Sequence, residues 1–331
     1  MQVKVAGGPF EMVDLPIPSP REDEVLIKVE ACGICHSDQF VKEGMFPGLQ
    51  LPRVPGHEVV GTIEEVGSEV KYWYTGQRVG VGWHGGHCFA CKPCRRGDFI
   101  NCENAKIAGI TYDGGYAEYM VAPQEALALV PFELGANDAA PLLCAGITTF
   151  NALRNSGATP GQVVAIQGIG GLGHLALQYA SKMGFQTVAI SGGESKRDLA
   201  LQLGAHVYVN ASAENVVDVL QEMGGANVIL ATAPNSELMS GVVDGLALNG
   251  KLIVVGASME PVAVSPLQLI VGRRSVSGWP AGTAMDSEDT LNFSQLTNIR
   301  PLVETFPLKK ANEAYEHMLS NQARFRVVLV P

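Results

Sequence analysis

At 331 residues the chain is long enough for two domains with separate cores. Its 47% hydrophobic content is that of a globular protein, and no stretch approaches the apolar run a membrane helix needs. A formal charge of −10 argues against a nucleic-acid surface, so neither nucleic acid nor membrane is expected as a partner.

Residues 1–16 alternate polar and apolar positions and carry acids, unlike a signal peptide, so a cytoplasmic location is expected. The first part of the chain reads as β-rich. Residues 25–30, 59–66, 78–81 and 115–121 are short β-prone runs separated by Gly, Pro and charged turns. From about Ala139 the texture changes. Apolar strands at 163–167, 187–191, 206–209, 228–231 and 251–255 alternate with helical segments at 172–183, 196–203, 213–223 and 236–248. That alternation predicts an α/β fold with a doubly wound, Rossmann-type parallel sheet. Leu172, Leu175, Ala176 and Tyr179 follow helical spacing and should face that sheet. After about Gly282 the pattern loosens, ending in a helix at 309–320 and an apolar strand at 325–330. Such a strand needs a sheet to join, and the N-terminal β region is the expected host. The expected division is 1–145, completed by 282–331, and a dinucleotide-binding domain at 146–281.

Six of the seven cysteines fall into two groups. Cys88, Cys91, Cys94 and Cys102 are spaced C-x2-C-x2-C-x7-C, and four thiolates from one loop make a closed, structural zinc site. A redox pair would leave Cys94 and Cys102 unexplained, and a nucleic-acid-binding ribbon fits poorly with an acidic chain. Cys35, His57 and Cys144 are distant in sequence and supply three ligands, leaving one position for a reactant. The competing reading of His57 is a core histidine. Zinc lowers the pKa of bound water from about 15.7 to about 7. A similar effect on an alcohol would be worth roughly 12 kcal/mol at about 1.36 per unit. Cys32 is left for apolar packing.

Gly168, Gly170, Gly171, Leu172 and Gly173 belong to a G-x-G-x-x-G that follows a strand and opens a helix, the context of a dinucleotide fingerprint. Its glycines let the backbone approach a pyrophosphate, and the helix N-terminus offers free N–H groups. At the end of the second strand an acid would favour NAD. Ser191 stands there instead, followed by Ser195, Lys196 and Arg197, which suit a 2′-phosphate and favour NADP(H) over NAD(H). Glu194 weakens that case, and a solvated helix start is the alternative.

These motifs, with Cys32-Gly33-Ile34-Cys35-His36-Ser37-Asp38, Gly56-His57-Glu58 and Cys144-Ala145-Gly146-Ile147-Thr148, resemble the zinc-containing medium-chain alcohol dehydrogenases over essentially the whole chain. The stretch from Gly82 to Cys88 and that from Ser191 to Arg197 are similar to the cinnamyl-alcohol-dehydrogenase-like branch. The resemblance implies a GroES-like catalytic domain beside the Rossmann domain, with the active site in the cleft between them. It implies two zinc ions, the catalytic one on Cys35, His57 and Cys144. Glu58 would approach the metal during ligand exchange, and Asp38 would orient a ligand. Ser37 would contact the substrate oxygen and pass on its proton. His36 would lie near the pyrophosphate, Thr148 near the nicotinamide, and Trp83 would line the substrate pocket or pack as a buried aromatic. Many members carry histidine where Phe40 stands, so the proton relay must end elsewhere, in water or another group; His84 is a candidate only by closeness in sequence.

The expected function is an alcohol dehydrogenase or aldehyde reductase exchanging hydride between NADP(H) and a primary alcohol or aldehyde, aromatic ones among the candidates. The alternatives are an NAD-linked short-chain alcohol or polyol dehydrogenase and a non-catalytic zinc and nucleotide sensor. A zinc-free quinone reductase would lack the metal ligands. The expected assembly is a homodimer or homotetramer.

Overall fold

In the computed structural model, which describes residues Met1–Pro331, the strand Glu24–Ile34 is the spine of a seven-stranded sheet. It pairs antiparallel with Val59–Val66 on one side and with the C-terminal strand Arg326–Val330 on the other. Arg78–Val81 and Leu127–Leu129 extend the sheet beyond Val59–Val66, Val303–Pro307 closes its other side, and Tyr119–Pro123 pairs with the first half of the spine. Ile27, Ile63, Val79, Met120, Val327 and Leu329 bury their side chains together, as alternation along strands with one covered face requires. The final strand therefore joins the N-terminal β region, where its apolar run is covered.

A second sheet of six parallel strands has the spatial order Val207–Asn210, Gln186–Ser191, Val163–Gln167, Ala226–Ala231, Leu246–Val254 and Ser275–Gly278. Numbered along the chain this is 3-2-1-4-5-6, the Rossmann order. The chain divides into two units, Met1–Ile147 with Ala281–Pro331, and Thr148–Pro280. No helix is long and apolar enough to cross a membrane.

Three expected elements differ. The helix expected at 236–248 runs only from Ser236 to Gly241, and after a short turn Leu246 already pairs with Ala226. Two adjacent valines and flanking glycines favour that break over a continued helix. The strand expected from Gly115 starts at Tyr119, because the N–H groups of Gly115 and Tyr116 bond to the carbonyls of Gly56 and Pro55 instead of a strand. A 14-residue helix, Ala284–Thr297, lies where the pattern loosened.

Candidate active site

The spine strand ends at Ile34, and the chain turns through His36–Asp38. Cys35 caps that turn: its Sγ lies 3.5 Å from the Ser37 N–H, while its own N–H donates to Asp38 Oδ2 at 2.8 Å. Asp38 is buried and also accepts from the Tyr116 hydroxyl at 2.9 Å. Its other oxygen lies 3.2 Å from His57 Nδ1. That contact fixes the His57 ring and leaves Nε2 buried without a hydrogen-bond partner. Burial lowers the His57 pKa, but the charge and hydrogen bond of Asp38, together with Cys35, outweigh it and hold the ring well above its usual value. His57 follows Gly56, whose φ of +103° brings this loop against Tyr116 and Cys32 where a side chain would not fit.

Cys144 sits on a π-helical turn, Leu142–Gly146, that places its Sγ 3.7 Å from Cys35 Sγ. A hydrogen bond between the two sulfurs pulls the Cys35 pKa down and pushes that of Cys144 up. Glu58 is fully buried, with Oε1 accepting from Arg326 Nη2 and Oε2 without a partner. Desolvation lifts its pKa to about 7 against the pull of Arg326. Arg326 also donates to the Ile34 carbonyl at 3.1 Å, tying the C-terminal strand to the turn that carries Cys35. Any side chain at Gly33 would run into Glu58 Oε2.

Donor atoms of Cys35, His57, Glu58 and Cys144 all lie within 4.8 Å of one another. Two thiols, an imidazole with an orphaned buried nitrogen and an orphaned carboxylate oxygen are a donor set that suits zinc. Trp83 packs its ring edge-on to His57, centroids 5.0 Å apart. Ser37 is half-buried and His36 exposed. Phe40 packs edge-on to Phe46 at 6.3 Å. His84 is buried, with Nε2 3.3 Å from His87 Nδ1, and desolvation lowers its pKa to about 4.

Cys88, Cys91, Cys94 and Cys102 also gather within 4.8 Å. Backbone N–H groups of Cys91, Cys88 and Asn104 donate to these sulfurs at 3.3 Å. The hydrogen bonds, that of the Cys91 N–H first, lower the Cys88 pKa to about 6, whereas desolvation raises that of Cys94 to about 12. A cluster that stabilises one thiolate and resists the next needs a cation to hold all four, and the tetrathiolate set fits structural zinc.

The fingerprint joins the strand Val163–Gln167 to the helix Gly173–Lys182. A Cβ at Gly173 would meet the Gly168 carbonyl, whereas one at Gly170 meets nothing within 4 Å. The loop is closed on the protein side and open on the other, which fits a pyrophosphate. Gly171 and Leu172 complete it, half-buried. Two residues that the motif does not include hold this loop. His174 Nδ1 lies 2.9 Å from the Gly170 carbonyl, and Thr232 Oγ1 donates to the carbonyls of Gln167 and Gly168 at 3.0 and 2.9 Å. Helical spacing could have placed His174 on the buried face; nothing in the sequence marks Thr232. Thr148 is half-buried near the start of the helix Ile147–Arg154.

Ser191 is half-buried and Ser195 exposed. The cations beside them are engaged: Lys196 Nζ donates to the Ile169 carbonyl at 2.7 Å, and Arg197 pairs with Glu194.

The Alcohol dehydrogenase GroES-like domain family matches residues 21–132, and the Zinc-binding dehydrogenase family matches residues 171–296. The chain is 43% identical to the alcohol dehydrogenase patD of Penicillium expansum over 326 residues, covering 98% of this chain and 95% of that one. Among solved structures it is similar to a cinnamyl alcohol dehydrogenase of Sorghum bicolor, with 29% identity, a TM-score of 0.89, and 99% and 96% of the two chains covered. It is also similar to a Helicobacter pylori CAD complexed with NADP(H), with 30% identity, a TM-score of 0.81, and 94% and 91% covered. The fold, the thiol clusters and these likenesses define one class: the chain belongs to the zinc-type medium-chain alcohol dehydrogenase family. It is an oxidoreductase of that family, with a GroES-like domain and a Rossmann domain.

Proposed function

We propose that this alcohol dehydrogenase interconverts a primary, preferentially aromatic, alcohol and its aldehyde, with hydride exchanged between the carbinol carbon and NADP(H). The observation that carries the reading is the convergence of Cys35, His57, Cys144 and Glu58 donors beside Trp83. Zinc held by Cys35, His57 and Cys144 would supply Lewis acidity toward the alcohol oxygen. Asp38 keeps His57 Nδ1 occupied, so that Nε2 is presented to the metal. Ser37, on the same turn as Cys35, accepts the substrate hydroxyl proton. Phe40 leaves no imidazole to receive it next, so the proton passes to water. His84, engaged with His87 and neutral, is not assigned to the relay. Trp83 gives the pocket an aromatic wall beside His57, which supports an aromatic substrate.

Cys88, Cys91, Cys94 and Cys102 would hold a second zinc, which would order their loop. His36 and Thr148 are assigned to the pyrophosphate and nicotinamide. Ser191, Ser195, Lys196 and Arg197 support NADP(H), in line with the NADP(H) bound to the Helicobacter pylori relative. The two thiol-rich sites need a reducing compartment, which supports the cytoplasm. Leu267, Ile270 and Val271 are exposed just before the edge strand Ser275–Gly278, which supports a homodimer or homotetramer.

The test is a panel of aromatic and aliphatic aldehydes with NADPH and NADH. The expected result is a higher kcat/KM for aromatic aldehydes with NADPH. Preference for short aliphatic alcohols with NADH points to the short-chain or polyol alternative, and absence of any alcohol-dependent cofactor reduction points to a sensor.

A further inference from the structure

The loop after the strand Gln186–Ser191 lies against the fingerprint, because Lys196 donates across to the Ile169 carbonyl at 2.7 Å. One residue further on, the Arg197 guanidinium lies over the Tyr208 ring, 4.8 Å from its centroid. Glu194 grips that guanidinium with both oxygens, Oε2 to Nε and Oε1 to Nη2 at 3.2 Å. The carboxylate is held from the other side by Asn210 Nδ2 at 2.8 Å. Asn210 is itself fixed, its Oδ1 accepting from the N–H groups of Gly193 and Ser212 at 2.9 and 3.0 Å. The Tyr208 hydroxyl donates to the Gly193 carbonyl at 2.6 Å. Glu194 is thus the centre of a hydrogen-bonded surface cluster on the loop beside the fingerprint.

We propose that Glu194 is a specificity-determining latch, which occupies the Arg197 guanidinium that a cofactor 2′-phosphate needs and so restrains the preference for NADP(H) over NAD(H). The inference rests on the NADP(H) reading given above. Glu194 takes the Nε–Nη2 edge of the guanidinium and offsets its charge, so a phosphate competes for that edge or approaches the Nη1–Nη2 edge beside a carboxylate already seated. The 2′-phosphate must either displace Glu194 or bind the other edge against its negative charge, whereas the bare ribose of NAD(H) leaves the pair undisturbed. The pair is partly exposed, 39% for Arg197 and 57% for Glu194, and such pairs are weak enough for a phosphate to open. Arg197 and Asn210 orient the Glu194 carboxylate toward the guanidinium, with three of its acceptor positions in use.

The test titrates nicotinamide fluorescence with NADPH and NADH in wild type, Glu194→Gln, Arg197→Met and the double variant. Glutamine keeps the length and an acceptor for Asn210, so the loop should persist. Glu194→Gln should tighten NADPH binding about fivefold and leave NADH within about twofold, and the gain should vanish when Arg197 is also replaced. Unchanged NADPH affinity in Glu194→Gln, a gain that survives Arg197→Met, or weakened NADH binding would overturn the latch; the last would make Glu194 a ribose acceptor. Tighter binding of NADH than NADPH in wild type would instead overturn the cofactor reading, while the latch stands or falls on the change in ratio.

Discussion

Arg326 and Glu58, 268 residues apart in the chain, meet as a fully enclosed ion pair next to the Cys35 and His57 donors. Removing one member of such a pair strands the other charge in the interior, at a cost of ~3–5 kcal/mol. Arg326→Met should therefore lower the free energy of unfolding in denaturant by about that amount. A loss below ~1 kcal/mol would mean that the pair is solvated or dispensable.

Asp38 holds His57, Cys35 and Tyr116 at once. Replacing it with asparagine keeps the shape and removes the charge that fixes the imidazole. Asp38→Asn should weaken zinc retention at the Cys35 site by roughly 10–100-fold in a chelator competition, while the Cys88 loop keeps its metal. Equal retention at both sites would remove Asp38 from the metal's support.

The two thiol clusters should fail differently. Cys35→Ala should abolish turnover and leave the thermal transition near that of wild type. Cys94→Ala should lower solubility and stability, since it opens a closed site that orders its loop. Metal analysis should give two zincs per chain in active protein and one in Cys35→Ala; fewer than two in fully active protein would refute the assignment.

Ser37→Ala should slow alcohol oxidation, by roughly 100-fold if the hydroxyl is the first proton acceptor. Phe40→His should raise the oxidation rate near neutral pH by supplying an end to the relay, although Phe40 would give up its contact with Phe46. Wild-type kcat in Ser37→Ala, with a full deuterium isotope effect from labelled alcohol, would exclude Ser37 from the proton path.

His84 adds a pH dependence to stability. Burial, then the neighbouring His87, lowers its pKa to about 4 against the opposing pull of Asp286. The unfolded chain then binds the proton more readily, so this contribution is present above about pH 6.5 and lost as pH falls toward 4. Unfolding free energies of wild type should fall across that window more steeply than those of His84→Gln. Parallel slopes would show that His84 does not titrate in that way.

What could be read from the sequence was local. The strand at 59–66, the fingerprint and the cysteine spacing each carry their signal within a few residues. Arg326 carries none, because its meaning depends on a strand pairing across most of the chain. The helix Ala284–Thr297 was hidden for a different reason. Ser287, Thr290 and Ser294 lie on its buried face, so it has no apolar stripe. Thr290 and Ser294 return their hydroxyls to carbonyls four residues back at 2.6 Å, which satisfies those hydroxyls within the helix. Lys196 and Arg197 read as free cations because charge is visible in a sequence and pairing is not.

The strand Arg326–Val330 also sets an order on synthesis. Thr148–Pro280 is one continuous stretch and can collapse as soon as it leaves the ribosome. The sheet built on Glu24–Ile34 has to wait, one edge unpaired, for Arg326–Val330 to be translated. Until Arg326 arrives Glu58 lacks this counterion, so the donors around it are not yet a finished metal receptor. A nascent chain halted before Arg326 would have its nucleotide-binding fold formed and an open sheet edge that chaperones would have to shield.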